Sequence, residues 1–252
     1  MRSLTIGSVI SSLVAGVFSH GHLVSVVMNS ASYTAFLPVA TPDFTRAPPS
    51  IVRRIGGDGP VLDISSKDIT CNFNAEPIAD NGVSRTGPVT AGSKIDMIWN
   101  GWPHSGPILT YMAKCSGDGG CGNFTGREGN AWFKVDEMGW DATTEAWATQ
   151  VLFDQKFRWT FTVPACLTPG EYLVRHEIIA LSDCKTPGKC QFYPECFQVK
   201  VLGSGTTDVE AAARVGFPGA YKKDDPGILW DTNSRNPEDY VMPGPKVWKC
   251  PA

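Results

Sequence analysis

A two-residue alternation governs the clearest patterned segment of this chain, and it commits that segment to sheet. Between residues 156 and 163, Phe157, Trp159, Phe161 and Val163 alternate with Lys156, Arg158, Thr160 and Thr162. This is the signature of a strand with one buried and one wet face. Residues 171–181 and 196–203 read as strands too, and 23–28, 93–99 and 147–153 fit buried strands. Thr168-Pro169-Gly170 and Pro187-Gly188 are turn signals between them. Short strands, frequent Gly and Pro, and no long amphipathic helix predict an all-β antiparallel sandwich. The 252 residues suit one sizeable domain. Residues 32–70 and 203–249 are long and weakly periodic, and loops beyond ~12–15 residues are usually functional or disordered. Tyr33, Phe36, Tyr221, Trp230 and Tyr240 lie in them, as aromatic candidates for a binding face.

The N-terminus sets the compartment. Met1-Arg2 precedes an apolar run from Leu4 to Phe18, about the length of a secretory h-region and too short to span a bilayer. Two cuts satisfy the small-residue rule. One falls after Ser19 and exposes His20; the other falls after Gly21 and exposes His22. The reading is a signal peptide over 1–19 and a secreted domain over 20–252, with no separate carbohydrate-binding module. All eight cysteines fall in the mature part, and an even count in a secreted chain argues for disulfides. Cys115–Cys121 and Cys184–Cys190 each bracket a Gly-containing turn and read as local staples. Asn123-Phe124-Thr125 is a glycosylation acceptor. With 22 basic and 25 acidic residues, the chain lacks the basic excess of a nucleic-acid binder. No lipid or membrane anchor is expected.

The chemistry rests on four histidines: His20, His22, His104 and His176. If Ser19 is the cleavage site, His20 carries both an imidazole and a free α-amine, two nitrogen donors in one chelate. One further imidazole completes a T-shaped three-nitrogen set, and such nitrogen donors suit copper(II). His104, held in the rigid turn Trp102-Pro103-His104-Ser105-Gly106-Pro107, is the candidate. Gln191 and Tyr193 share one strand face by the period of two. That allows Tyr193 an axial position at the metal and Gln191, with His176, a supporting role around it.

These motifs resemble those of the fungal lytic polysaccharide monooxygenases of auxiliary activity family 9. The resemblance covers essentially the whole mature chain, through HGHLVSVVMNSASY, WPHSGP, TPGEYLVRHEIIAL, QFYPECF, DPGILWD and YVMPGP. It implies an immunoglobulin-like or fibronectin-type sandwich whose long loops form a flat binding face. It also implies one copper ion held by the α-amine and Nδ1 of His20 and Nε2 of His104, with Tyr193 axial. His176 and Gln191 would hydrogen-bond oxygen-derived species, and Tyr240 would lie on the substrate face; Tyr33 and Tyr221, as aromatics of the long loops, are further candidates for that face. The resemblance pairs Cys71 with Cys196 and Cys115 with Cys121, leaving Cys166–Cys250 and Cys184–Cys190, and it favours His20 over His22 as the first residue. The implied reaction is oxidative cleavage of β-1,4-glucan, cellulose first, at carbon 1 or carbon 4. Dioxygen or hydrogen peroxide is the co-substrate, and a haem–flavin dehydrogenase or a small phenol supplies electrons to a monomeric enzyme. The chain departs from the family in residues 51–68, which carry Arg53 and Arg54, in Phe36, and in the added loop CKTPGKC.

Two rivals make different predictions. A glycoside hydrolase needs two carboxyl groups ~5–9.5 Å apart; Glu177 beside His176 is a nominal member of such a pair, but no spacing singles out a partner. A non-catalytic carbohydrate- or copper-binding protein would use the same scaffold without turnover.

Overall fold

The computed structural model describes residues 20–35 and 50–251. The apolar leader over 1–19 and Phe36 lie outside the described residues. In chain order the strands are β1 (Leu23–Met28), β2 (Ala31–Thr34), β3 (Ala79–Asp80), β4 (Val83–Ser84), β5 (Gly87–Thr90) and β6 (Lys94–Trp99). There follow β7 (Ile108–Lys114), β8 (Trp132–Met138), β9 (Trp140–Asp141) and β10 (Ala146–Trp147), then the helix α1 (Ala148–Asp154). The chain continues with β11 (Arg158–Thr162), β12 (Gly170–Ala180) and β13 (Gln191–Leu202). One sheet has the order β11-β6-β1-β2 and the other β5-β13-β12-β7-β8, with two short ribbons beside them. All pairings are antiparallel except β5 with β13. The all-β expectation holds.

The alternation in 156–163 appears as expected: on β11, Trp159 and Phe161 are buried, and Arg158 and Thr162 are exposed. The expected strand over 147–153 is instead mostly α1. Its buried residues, Ala148, Thr149 and Leu152, fall at helical spacing, so a short apolar run was misread that packs one helical stripe.

The sandwich buries two cores. Val26, Met97, Trp99, Ile178, Tyr193 and Phe197 belong to the one between the sheets. The other lies on the outer face of the five-stranded sheet, where Leu109, Tyr111, Leu173 and Phe192 meet Ile64, Ile69, Phe217, Tyr221 and Trp230. Burial on both faces leaves nine consecutive residues of β12 buried, Tyr172 to Ala180, with Arg175, His176 and Glu177 among them. It also redefines the two long loops, which supply much of the cover for that outer face. Tyr221 is therefore corrected from the substrate face to the core: it is 5% exposed, and its hydroxyl donates to Glu177 Oε2 at 2.6 Å. Trp230 is buried likewise.

Arg175 lies beneath Tyr221. It is fully buried, forks onto both carboxylate oxygens of Glu177, and donates to the carbonyls of Ile69 and Thr70. Burial of a charge is tolerated only with such pairing. Arg53, in the segment that departs from the family pattern, is 1% exposed and donates to the carbonyls of Cys121, Phe124 and Thr125. The disulfides are Cys71–Cys196, Cys115–Cys121, Cys166–Cys250 and Cys184–Cys190. Asn123 is exposed, as a glycosylation acceptor requires, and its amide donates to the Asp118 carbonyl.

Candidate metal centre

Three chain segments meet at one end of the sandwich: the arm before β1, the crossover 100–107 from β6 to β7, and the start of β13. The arm and the crossover are laced together. Asn100 N–H donates to the His22 carbonyl at 3.1 Å, and His22 N–H donates to Asn100 Oδ1 at 2.9 Å. Gly21 permits this approach: a Cβ there would stand 2.2 Å from the Gly101 carbonyl oxygen and 2.9 Å from the Trp102 ring. Gly106 plays the same part against β12, since its Cβ would fall 1.8 Å from the Ile179 carbonyl oxygen.

This lacing joins the segment that carries His20 to the segment that carries Trp102 and His104. The His20 ring lies 6.1 Å, centroid to centroid, from that of Tyr193. Trp102 meets Tyr193 edge-on at 4.6 Å and His104 edge-on at 6.1 Å. His20 and His104 are half-buried, and Tyr193 is 1% exposed. Burial is the chief cause that pushes the Tyr193 phenol above its ordinary range, so the group stays protonated at neutral pH. Its hydroxyl donates to Gln191 Oε1 at 2.8 Å, as their shared strand face predicts. His22 is 8% exposed, packed under the arm, and desolvation holds its imidazole below its ordinary pKa.

His176 does not join this group. It pairs with Glu195 on β13, whereas Gln191 pairs with Ala180. It therefore lies two residues, about 7 Å, below Tyr193, whose partner is Ile178, and four residues, about 13 Å, below Gln191. It is 0% exposed, with Nδ1 3.0 Å from Thr110 Oγ1 and its ring 5.8 Å from Trp99. Burial first, and the neighbouring Arg175 charge second, depress its pKa to about 3. It is a neutral core histidine, and the role expected for it beside oxygen species is corrected. Tyr33 is also displaced. Its ring packs on Gly87, which pairs with Val199 on β13, eight residues or ~26 Å from Gln191. Tyr240 is half-buried and braced edge-on by Trp147 and Trp230, with its hydroxyl on the Gly227 carbonyl at 2.6 Å.

The sequence reading missed several contributors: Gly21, Asn100, Trp102 and Asp183. Asp183 Oδ2 accepts from Gln191 Nε2 at 2.9 Å. The available signal was positional, since Asp183 and Gln191 flank the two half-cystines of CKTPGKC.

Among the described residues no group of three or more His, Cys, Asp or Glu side chains is placed to hold a metal ion. A metal at this end must therefore draw on few side chains. Two imidazoles fit that demand when the chain itself supplies a backbone amine as a third nitrogen.

A profile for Auxiliary Activity family 9 (formerly GH61) matches residues 20–240. The chain is 38% identical to AA9 family lytic polysaccharide monooxygenase F of Botryotinia fuckeliana (strain B05.10), covering 94% of this chain and 95% of that protein. It is 39% identical to AA9 family lytic polysaccharide monooxygenase B of Malbranchea cinnamomea, covering 93% and 94%. Among solved structures, the extended catalytic domain of H. jecorina LPMO9A superposes with a TM-score of 0.79 at 33% identity, covering 90% of each chain. HiLPMO9B superposes with a TM-score of 0.80 at 33% identity, covering 92% of this chain and all of that one. The chain belongs to Auxiliary Activity family 9, the copper-dependent lytic polysaccharide monooxygenases.

Proposed function

We propose that this end of the sandwich is the copper centre of a secreted enzyme that cleaves β-1,4-glucan, cellulose first, at carbon 1 or carbon 4. His20, through its α-amine and Nδ1, and His104, through its Nε2, would hold the ion, with the Tyr193 phenol oxygen facing it. The observation that carries the reading is that the His20 ring lies 6.1 Å from Tyr193 while Trp102 contacts both Tyr193 and His104. The family match beginning at residue 20 supports cleavage after Ser19. So does the tucked position of His22, bonded through its backbone to Asn100. Among the described residues no helix is long and apolar enough to cross a membrane.

Copper, when bound, supplies the one-electron chemistry that lets dioxygen or hydrogen peroxide attack an unactivated C–H bond. The protein supplies the placement. The Gly21 and Gly106 close approaches fix the backbones that carry the imidazoles. Trp102 fills the space between ligand and axial residue, which keeps the ring orientations fixed and limits water. Tyr193 donates its O–H hydrogen bond to Gln191 and thereby keeps oxygen lone pairs available on its other side. Tyr240, braced by two tryptophans, is the proposed aromatic element of the glucan face. A haem–flavin dehydrogenase or a small phenol is the proposed electron donor to the monomer.

The test is product analysis on cellulose with copper and ascorbate. Oxidised soluble sugars that depend on copper and reductant, and that vanish in His104→Ala, support the proposal. Native sugars released without reductant, or in the presence of a copper chelator, would favour a hydrolase. Copper uptake without any product would favour a binding protein.

A further inference from the structure

The loop CKTPGKC turns the chain from β12 into β13, and its staple does more than close a turn. Cys184 and Cys190 are both buried, with Cα atoms 4.0 Å apart. The residues flanking them, Asp183 and Gln191, are therefore brought side by side, and Gln191 Nε2 donates to Asp183 Oδ2 at 2.9 Å. On its other side Gln191 accepts from Tyr193 at 2.8 Å. Asp183 and Gln191 border an open groove with Pro60, Leu62, Thr186 and Lys189, so packing alone does not fix which way the amide faces. A carboxamide presents a donor at one edge and an acceptor at the other, whereas an ionised carboxylate only accepts. Asp183 thus decides the orientation: NH2 toward itself, carbonyl toward Tyr193.

We propose that Asp183, held in place by the Cys184–Cys190 staple, is a positioning residue that locks the Gln191 amide and so fixes the direction of the Tyr193 hydroxyl proton. With the amide reversed, its NH2 would face Tyr193. The phenol oxygen would then have to accept that hydrogen bond and send its own proton elsewhere, toward the side proposed for the metal. The inference rests on the copper-centre reading for its consequence, but the orientation itself belongs to the metal-free protein.

The experiment compares wild type, Asp183→Ala and Asp183→Asn. In the metal-free proteins, the Gln191 side-chain amide is followed by proton–nitrogen NMR, assigned by its loss in Gln191→Glu. In Asp183→Ala the downfield proton of Gln191 Nε2 moves upfield and the two amide protons converge. In Asp183→Asn, which keeps an acceptor but adds a donor, they lie between wild type and Ala. In the copper(II) forms, the EPR spectrum of Asp183→Ala shows a second set of parameters, and release of oxidised sugars falls roughly tenfold, as for other groups that orient a metal site from outside it. Gln191 amide signals and EPR parameters in Asp183→Ala that match wild type would overturn the inference. If wild type itself takes up no copper, the copper-centre reading fails while the amide signals still decide the orientation.

Discussion

Tyr193 and Gln191, two residues apart on one strand, are joined through their side chains: the buried phenol donates to the amide oxygen at 2.8 Å. The bond commits the phenol O–H to Gln191 and ties Tyr193 to the residue that borders the groove with Asp183. His20 lies 6.1 Å from that phenol, and Trp102 links it to His104.

The close approach at Gly21 is the most sensitive part of that delivery. Gly21→Ala places a methyl group against the Gly101 carbonyl and the Trp102 ring. Overpacking of this kind costs about 1–3 kcal/mol, which corresponds to roughly five- to 150-fold in copper affinity if the arm yields. Gly101→Ala is the control, because a Cβ there meets nothing within 4 Å. Isothermal titration with copper should find Gly101→Ala close to wild type and Gly21→Ala weakened. Equal affinities would mean that the arm does not set the site.

Glu177 tests the hydrolase alternative. It is sealed in the outer core, paired with Arg175 and bonded by Tyr221. Glu177→Gln leaves the Arg175 guanidinium with a neutral partner, and breaking a buried pair costs about 3–5 kcal/mol. Urea unfolding should show that loss, while the folded variant keeps wild-type product per bound copper. Lost activity at undiminished stability would restore Glu177 as a catalytic acid.

His176 gives the fold a specific acid limb. Its pKa is about 3 in the folded protein against an ordinary 6.5, so the folded state holds it neutral. The unfolded chain takes up a proton first as pH falls. The contribution to stability is therefore complete above pH 6.5 and is lost progressively down to about pH 3, with a limiting slope of about 1.4 kcal/mol per pH unit. His176→Gln should flatten the stability profile across that window and leave the copper(II) EPR spectrum unchanged. An unaltered acid limb would contradict the buried neutral histidine.

The sequence was informative where a period speaks directly and uninformative where depth decides. β11 and the shared face of Gln191 and Tyr193 follow from alternation. The leader left His20 and His22 both open as the first residue, and the turn around His104 pointed to it only in company with the family motifs. Alternation places His176, Tyr193 and Gln191 on related faces but not at their heights, and only the register of β12 on β13 shows that His176 lies below the other two. Tyr221 and Trp230 looked like surface aromatics because no local pattern records that a loop covers the outer face of a sheet. Residues 148–154 are too short for a run of apolar residues to separate helix from strand. Asp183 was missed because its partner is set by a disulfide rather than by a period.

The most direct measurement is N-terminal sequencing of the secreted protein joined to a copper titration of the same sample. The account predicts a chain that starts at His20 and binds one copper ion, with binding lost in His104→Ala. A chain that starts elsewhere and retains no stoichiometric copper would contradict it.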